Sequence, residues 1–407
     1  MNPTLNNPAQ KIAPDRRLPV TQVVKPGDVL HTEKQQSVML GSVLGEGGEG
    51  AVFKTNTPLV AKIYKPEMTT SHRLAKLQIL LRKGLSCPGL CLPKALLYNS
   101  KNEFVGYLME KAEGVKLRNL YIKPLLQKNF PHWQKRDIVE LAINIIQRIG
   151  YLHSKGIVLV DINPDNLLVR TPKEVYFVDC DSYQVDGYPC TVGTIPFTAP
   201  ELQNRASRNN LLRTIGNENF AIAVLLFSLM VTGQMPYNQK GGDTSQRNII
   251  SMDFSYPLGE KSNKKTPNGP WRFLWSHLPK YLKEAFYETF SKGGKYSTES
   301  SRLGALEWYK KLNHYLNLLD TGKLGEQDKM SEVLYPTRFK KQKGVTYVTC
   351  PRCNEDTDES HFSKEGICME CQRKIWLSRQ LGKRTSRTPM RRTIQSKSCS
   401  FFNCLFH

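Results

Sequence analysis

Hydrophobic and polar positions alternate along much of the first quarter of the chain and then give way to helical spacing. Ser37 to Leu44, Ala51 to Lys54 and Leu59 to Tyr64 read as strands, and Leu96 to Tyr98 and Phe104 to Met109 as two more. Between them, Ser71 to Lys83 places Leu74, Leu77 and Leu81 on one face, which predicts a helix. Met109 to Gly114 reads as a hinge into a second, helical part. There Asp137 to His153 is strongly amphipathic, with Ile138, Leu141, Ala142, Ile145, Ile146, Ile149 and Leu152 on a shared face. Phe220 to Val231 is apolar on every side and predicts a buried helix, being well short of the roughly 20 residues that cross a bilayer. Phe273 to Phe290 supplies further helix, and Asn238 to Asn268 reads as an exposed polar loop. Residues 1–36 read as a flexible lead-in with one strand near Thr21 to Val24, and residues 319–345 as a charged linker.

The densest chemistry lies from Val158 to Asp181. Two β-branched runs, Leu167 to Val169 and Val175 to Val178, flank a turn at Arg170 to Glu174, a hairpin pattern. Asp161 and Asn166 precede the first strand and Asp179 follows the second, so the hairpin brings three oxygen-bearing side chains to one end. Two carboxylates and an amide suit a hard cation such as Mg²⁺; Asp and Asn are also ordinary turn residues. Upstream, Gly45, Gly47 and Gly50 form a Gly-x-Gly-x-x-Gly loop between two strands, followed by Val52. Glycines let backbone approach phosphate closely, although a plain hairpin turn fits the same pattern. Lys62, alone among apolar strand neighbours, can reach a phosphate as a point charge, although a solvated strand lysine fits the same pattern.

These signatures, in the order glycine loop, strand lysine, Asp161-x-x-x-x-Asn166, Asp179 and Ala199-Pro200-Glu201, resemble the protein kinase fold, most of all a divergent bacterial Ser/Thr kinase-like family whose members often carry a C-terminal zinc or nucleic-acid-type module. The resemblance implies an α+β, bilobal architecture over 37–318, with a β-rich lobe at 37–110 and a helical lobe at 111–318. It implies transfer of the γ-phosphoryl group of Mg-ATP to a protein hydroxyl. Gly45, Gly47 and Gly50 would cover the phosphates, and Val52 would lie against adenine. Lys62 would hold the α- and β-phosphates, and Glu110 with its neighbours would offer hinge backbone. Asp161 would be the catalytic base, with Asn166 and Asp179 holding Mg²⁺. Gly193 and Thr194 match the segment that faces a Ser/Thr substrate. Arg302 would pair with Glu201.

The departures are specific. No acid occurs between Glu67 and Glu103, so the helix from Ser71 lacks the usual glutamate for Lys62; Gln78 can hydrogen-bond there but not neutralise. Val160 stands where an arginine would sense a phosphorylated activation segment, which implies activity without that modification. Asn163 replaces a lysine. Asp181 replaces a glycine, as a second metal ligand or a turn cap. Glu218 or Asn219 takes the place of an aspartate on the long buried helix. These losses leave a nucleotide-binding pseudokinase scaffold as the alternative.

Charge and cysteine content add two elements. The net charge of +22 favours anionic partners. Cys350 and Cys353, then Cys368 and Cys371, form paired Cys-x-x-Cys steps that predict a Zn²⁺ ribbon at 346–376, with redox or incidental cysteines as the other possibility. Residues 377–407 are basic without an acid, a tail either simply solvated or bound to nucleic acid or another anion. A third reading is therefore a nucleic-acid adaptor working through ribbon and tail. The polar start, without an apolar export signal or transmembrane run, and the size of the chain favour free thiols and a cytoplasmic setting over a secreted disulfide framework.

Overall fold

The computed structural model of the protein describes residues 12–190, 193–204, 211–269, 271–322, 346–352, 356–369, 371–372 and 375–376. Six strands build the first lobe: β1 (Val29–Thr32), β2 (Ser37–Glu46), β3 (Gly50–Thr55), β4 (Leu59–Tyr64), β5 (Pro93–Tyr98) and β6 (Phe104–Glu110), with helix α1 (Ser71–Arg82) inserted after β4. They close into an antiparallel barrel in the order β1-β2-β3-β4-β6-β5. Alternation does the closing: Leu30, Val38, Leu40, Phe53, Ala61, Ile63, Leu97, Val105 and Leu108 point inward as one buried cluster. The expected strand at Thr21 to Val24 is absent. That segment is pinned instead by Glu103, whose carboxylate accepts from the Thr21 N–H at 2.9 Å and the Thr21 hydroxyl at 2.7 Å. The strand within the expected lead-in is β1. At four residues it is too brief to show a period.

Both neighbours of β4 press on it. A Cβ on Gly50 would lie 2.0 Å from the Ile63 carbonyl oxygen, and one on Gly106 would lie 2.0 Å from that of Lys62. Only glycine lets β3 and β6 flank the lysine strand so tightly.

The second lobe opens with β7 (Val115–Lys116), α2 (Lys123–Asn129) and α3 (Lys135–Ser154), followed by the hairpin β8 (Leu167–Val169) and β9 (Val175–Phe177). Then come α4 (Ile215–Met230), α5 (Ser245–Ser251), α6 (Trp271–Ser276), α7 (Lys280–Phe290) and α8 (Ala305–Asp320). Helix α4 is buried from Asn217 to Met230, and α3 packs its apolar face against it and α8. Around Phe227, the rings of Tyr256, Phe286, Phe254 and Phe290 meet edge to face at 5.1–5.8 Å. The stretch read as an exposed loop from Asn238 contains α5 and sends Phe254 and Tyr256 into this cluster. Its polar residues hid those anchors. Arg302, almost fully buried, makes a two-pronged pair with Glu201 at 2.6 and 2.8 Å. Burial raises the Glu201 pKa, but the Arg302 hydrogen bond and charge, with Asn217, more than offset this and leave it below its ordinary value.

At the C-terminal end, β10 (Tyr347–Thr349) and β11 (Asp356–Asp358) form a two-stranded antiparallel sheet. Cys353 and the tail from 377 lie outside the described residues.

Arg302 is buried, whereas the Glu201 carboxylate keeps access to solvent, so removing the arginine chiefly removes charge-assisted hydrogen bonds. Arg302→Ala is expected to lower unfolding stability by about 2 kcal/mol in denaturant titration. Glu201 has a lowered folded-state pKa, so its contribution is present above its unfolded value and fades as pH falls through the folded one. The Arg302→Ala deficit should therefore shrink in strongly acidic buffer.

Candidate active site

A cleft of about 600 Å³ lies between the lobes, lined by the Gly45–Gly50 loop, Val52, Val60, Lys62, Met109, Ala112, Asn166, Leu168 and Asp179. The loop follows from β2 and β3 continuing their ladder to its tip, where the Gly47 N–H donates to the Gly50 carbonyl at 2.9 Å. A Cβ on Gly45 or Gly48 would meet nothing, and one on Gly47 only a carbonyl at 3.9 Å. The protein's own packing demands glycine only at Gly50. The other glycines leave room over the cleft.

Lys62 is buried on β4, and its amine donates to Asp179 at 2.6 Å and Asp181 at 2.7 Å, with Glu49 3.5 Å away. Burial would lower its pKa, but the charges of Asp181 and Asp179 outweigh that and raise it, so the amine stays cationic. Asp181 is itself fully buried; burial would raise its pKa, yet Lys62 and Arg73 hold it well below the carboxylate range. Asp179 sits in the left-handed region at φ 64° and leaves its side chain 44% exposed, toward the cleft. The Val178 N–H donates to the Asn166 carbonyl at 3.1 Å, tying the two ends of the hairpin together.

Asp161 is held from three sides. Asn163 and Asn166 amides donate to Oδ2 at 2.8 and 3.1 Å, and the Thr194 hydroxyl donates to Oδ1 at 3.0 Å. The Asn166 amide nitrogen is thus turned to Asp161, which leaves its oxygen on the other side of the group as an acceptor. Asn163 also accepts from the Asp165 and Asn166 N–H groups, so it organises the loop in place of a lysine. Val160 has φ 68°, a strained value for a β-branched residue. Buried Glu218 holds it there, accepting the Leu159 N–H at 3.0 Å and the Val160 N–H at 2.6 Å. Of the two expected candidates on the buried helix, Glu218 makes this contact.

Two expectations need correction. Gln78 is exposed and takes no part beside Lys62. Asp181 neither lines the cleft nor caps the turn with its side chain; it is the inner partner of Lys62. The Glu110 carboxylate turns to Lys94 at 2.9 Å, and its neighbours Met109, Lys111 and Ala112 line the cleft. Sequence reading also missed Glu49, Arg73, Tyr64 and Tyr107. Two signals pointed to the tyrosines: Tyr64 is two residues from Lys62 on one strand face, and Tyr107 pairs across from it.

Near the C-terminal end, Cys350, Cys368 and Cys371 are buried, and their ligand atoms all lie within 4.8 Å of one another. Backbone N–H groups of Cys368 and Cys371 donate to the sulfurs of Cys350 and Cys368 at 3.3 and 3.4 Å.

Comparison with known proteins agrees with this geometry. The family described as protein kinase domain matches residues 39–286, well over half of the chain. The chain is 28% identical over 279 residues to Protein kinase YegI of Escherichia coli O157:H7, covering 65% of this chain and 43% of that protein. With YegI of E. coli K12 it is 27% identical over 277 residues, at the same coverage. A serine/threonine-protein kinase, pakE of Dictyostelium discoideum, is 29% identical over 141 residues, 33% of this chain and 14% of that one. The chain thus spans less than half the length of these relatives. Its lobes, its cleft and these likenesses agree: the chain belongs to the protein kinase family, with similarity to bacterial kinases such as YegI.

Proposed function

We propose that the protein transfers the γ-phosphoryl group of Mg-ATP to a Ser or Thr hydroxyl of a protein. The observation that carries this reading is the meeting of Lys62 and Asp179 at 2.6 Å in a cleft that also holds Asn166 and the glycine loop. The donor set fits the group: a carboxylate and an amide oxygen suit Mg²⁺. Bound there, Mg²⁺ would neutralise charge developing on the phosphoryl oxygens. Val52, Val60 and Leu168 offer apolar walls to a base, Gly45 and Gly47 lie over the phosphates, and Lys62 pairs with phosphate oxygen. Glu110 contributes at most backbone at the hinge. Asp161 accepts and orients the substrate hydroxyl; the Thr194 hydroxyl bonded to its Oδ1 supports a carboxylate placed to receive one.

The thiol cluster supports a Zn²⁺ site. Cys350 and Cys371 sulfurs stand 3.9 Å apart, close to the roughly 3.8 Å edge of a tetrahedron with Zn–S bonds of about 2.3 Å. Cys353 supplies the fourth thiolate in this reading, and the metal substitutes for a core too small to fold alone.

Asp161→Asn is expected to slow autophosphorylation with radiolabelled ATP by about 10²–10⁴-fold, with nucleotide binding retained. Asp179→Asn should lose Mg²⁺-dependent nucleotide binding as well. Labelling of both variants at the wild-type rate would refute catalysis, and binding without transfer in the wild type would leave a nucleotide-binding scaffold. For the cysteines, elemental analysis should find about one zinc per chain. Cys368→Ser should release it and expose the segment to protease, whereas a metal-free chain with this segment protected would exclude the site.

A further inference from the structure

Helix α1 carries no acid to pair with Lys62. It carries the opposite charge instead. The Arg73 guanidinium lies 4.7 Å from the Tyr64 ring centre and pairs with Glu49 of the glycine loop at 2.7 Å. The acid comes from the other lobe instead and lies between Lys62 and Arg73 of α1. Asp181, just after β9, receives the Lys62 amine at 2.7 Å, the Tyr64 hydroxyl at 2.9 Å and the Tyr107 hydroxyl at 3.1 Å, and faces Arg73 Nε at 3.7 Å.

The two carboxylates on Lys62 are not equivalent. Asp179 is open to the cleft, whereas the Asp181 side chain is 0% exposed. A buried carboxylate is tolerated only when charges and hydrogen bonds satisfy it. Here both oxygens are engaged by lysine and phenol donors, so neither faces a cation in the cleft.

We propose that Asp181 is the positioning residue for Lys62, and that Glu49 and Arg73 extend it into a ring of charges that ties α1 and the glycine loop to the same lysine. When Asp179 turns to a cation, Asp181 remains, holding the amine at the phosphates. In this chain the lysine's fixed partner comes from the hairpin lobe, and α1 acts on the loop rather than on the lysine. The inference rests on the kinase reading above.

Asp181→Asn preserves shape and removes the charge. In the full chain it is expected to lower autophosphorylation at saturating Mg-ATP by about 10²-fold, the scale of a reacting group displaced by an ångström. Mg²⁺ titrated calorimetrically into the ADP complex should bind as in the wild type. Asp181→Glu returns the charge on a longer arm and should recover part of the lost rate. Wild-type turnover in Asp181→Asn would overturn the assignment. So would weakened Mg²⁺ binding with activity restored by excess Mg²⁺, which would make Asp181 a metal ligand. If Asp181→Asn does not fold, Asp181→Glu decides: a lowered rate with Mg²⁺ bound as in the wild type supports the positioning role, and an unchanged rate or weakened Mg²⁺ binding overturns it. A wild-type chain that binds no Mg-ATP would remove the kinase reading and this inference with it.

Discussion

The site depends on one buried amine and the two carboxylates that hold it. Lys62 comes from the barrel, while Asp179 and Asp181 come from the loop after the hairpin of the other lobe. The pair therefore joins the lobes at the floor of the cleft. Burial makes it consequential: opposite charges attract strongly where water is scarce, and either alone would be costly. Tyr64 and Tyr107 complete it by donating to the same carboxylate, so Asp181 has no unsatisfied face toward the barrel.

Around that contact, the backbone is held in conformations it would not choose. Val160 and Asp179 both occupy positive φ. Such residues cost on the order of 1–3 kcal/mol each and persist only where their surroundings over-determine them. At Val160 the restraint is Glu218, rooted in the most buried helix of the protein. At Asp179 it is the ion pair itself, with the Ser182 hydroxyl donating to the Asp179 carbonyl at 2.7 Å. One strained point is thus fixed from within the helical lobe and the other by the contact between the lobes, one on each side of Asn166.

Local features of this site were legible in the sequence. A hairpin must bring its ends together, so Asp161, Asn166 and Asp179 could be placed from two short apolar runs and a turn. The long helices were equally plain because their periods repeat over many turns. What escaped depended on tertiary pairing. Nothing near Asp181 in the chain says that it will meet a lysine 119 residues away, although the missing acid on α1 and the extra acid after β9 were both visible. The four residues of β1 carry too little pattern to announce a strand, and α5 lies in a polar stretch whose two aromatic anchors, Phe254 and Tyr256, do not fall at a helical interval.

Closing the barrel has a consequence for the lobe as a material object. A sheet with free borders exposes unpaired N–H and C=O groups that can template pairing with another chain, and it can also splay. With β1 hydrogen-bonded to both β2 and β5, that liability is gone and the strands are locked to one another around the full circle. What the ladder leaves out is the tip of the glycine loop, beyond the last rung between Glu46 and Ala51, so the roof of the cleft is held by its charges, Glu49 to Arg73 and Lys62, rather than by strand pairing.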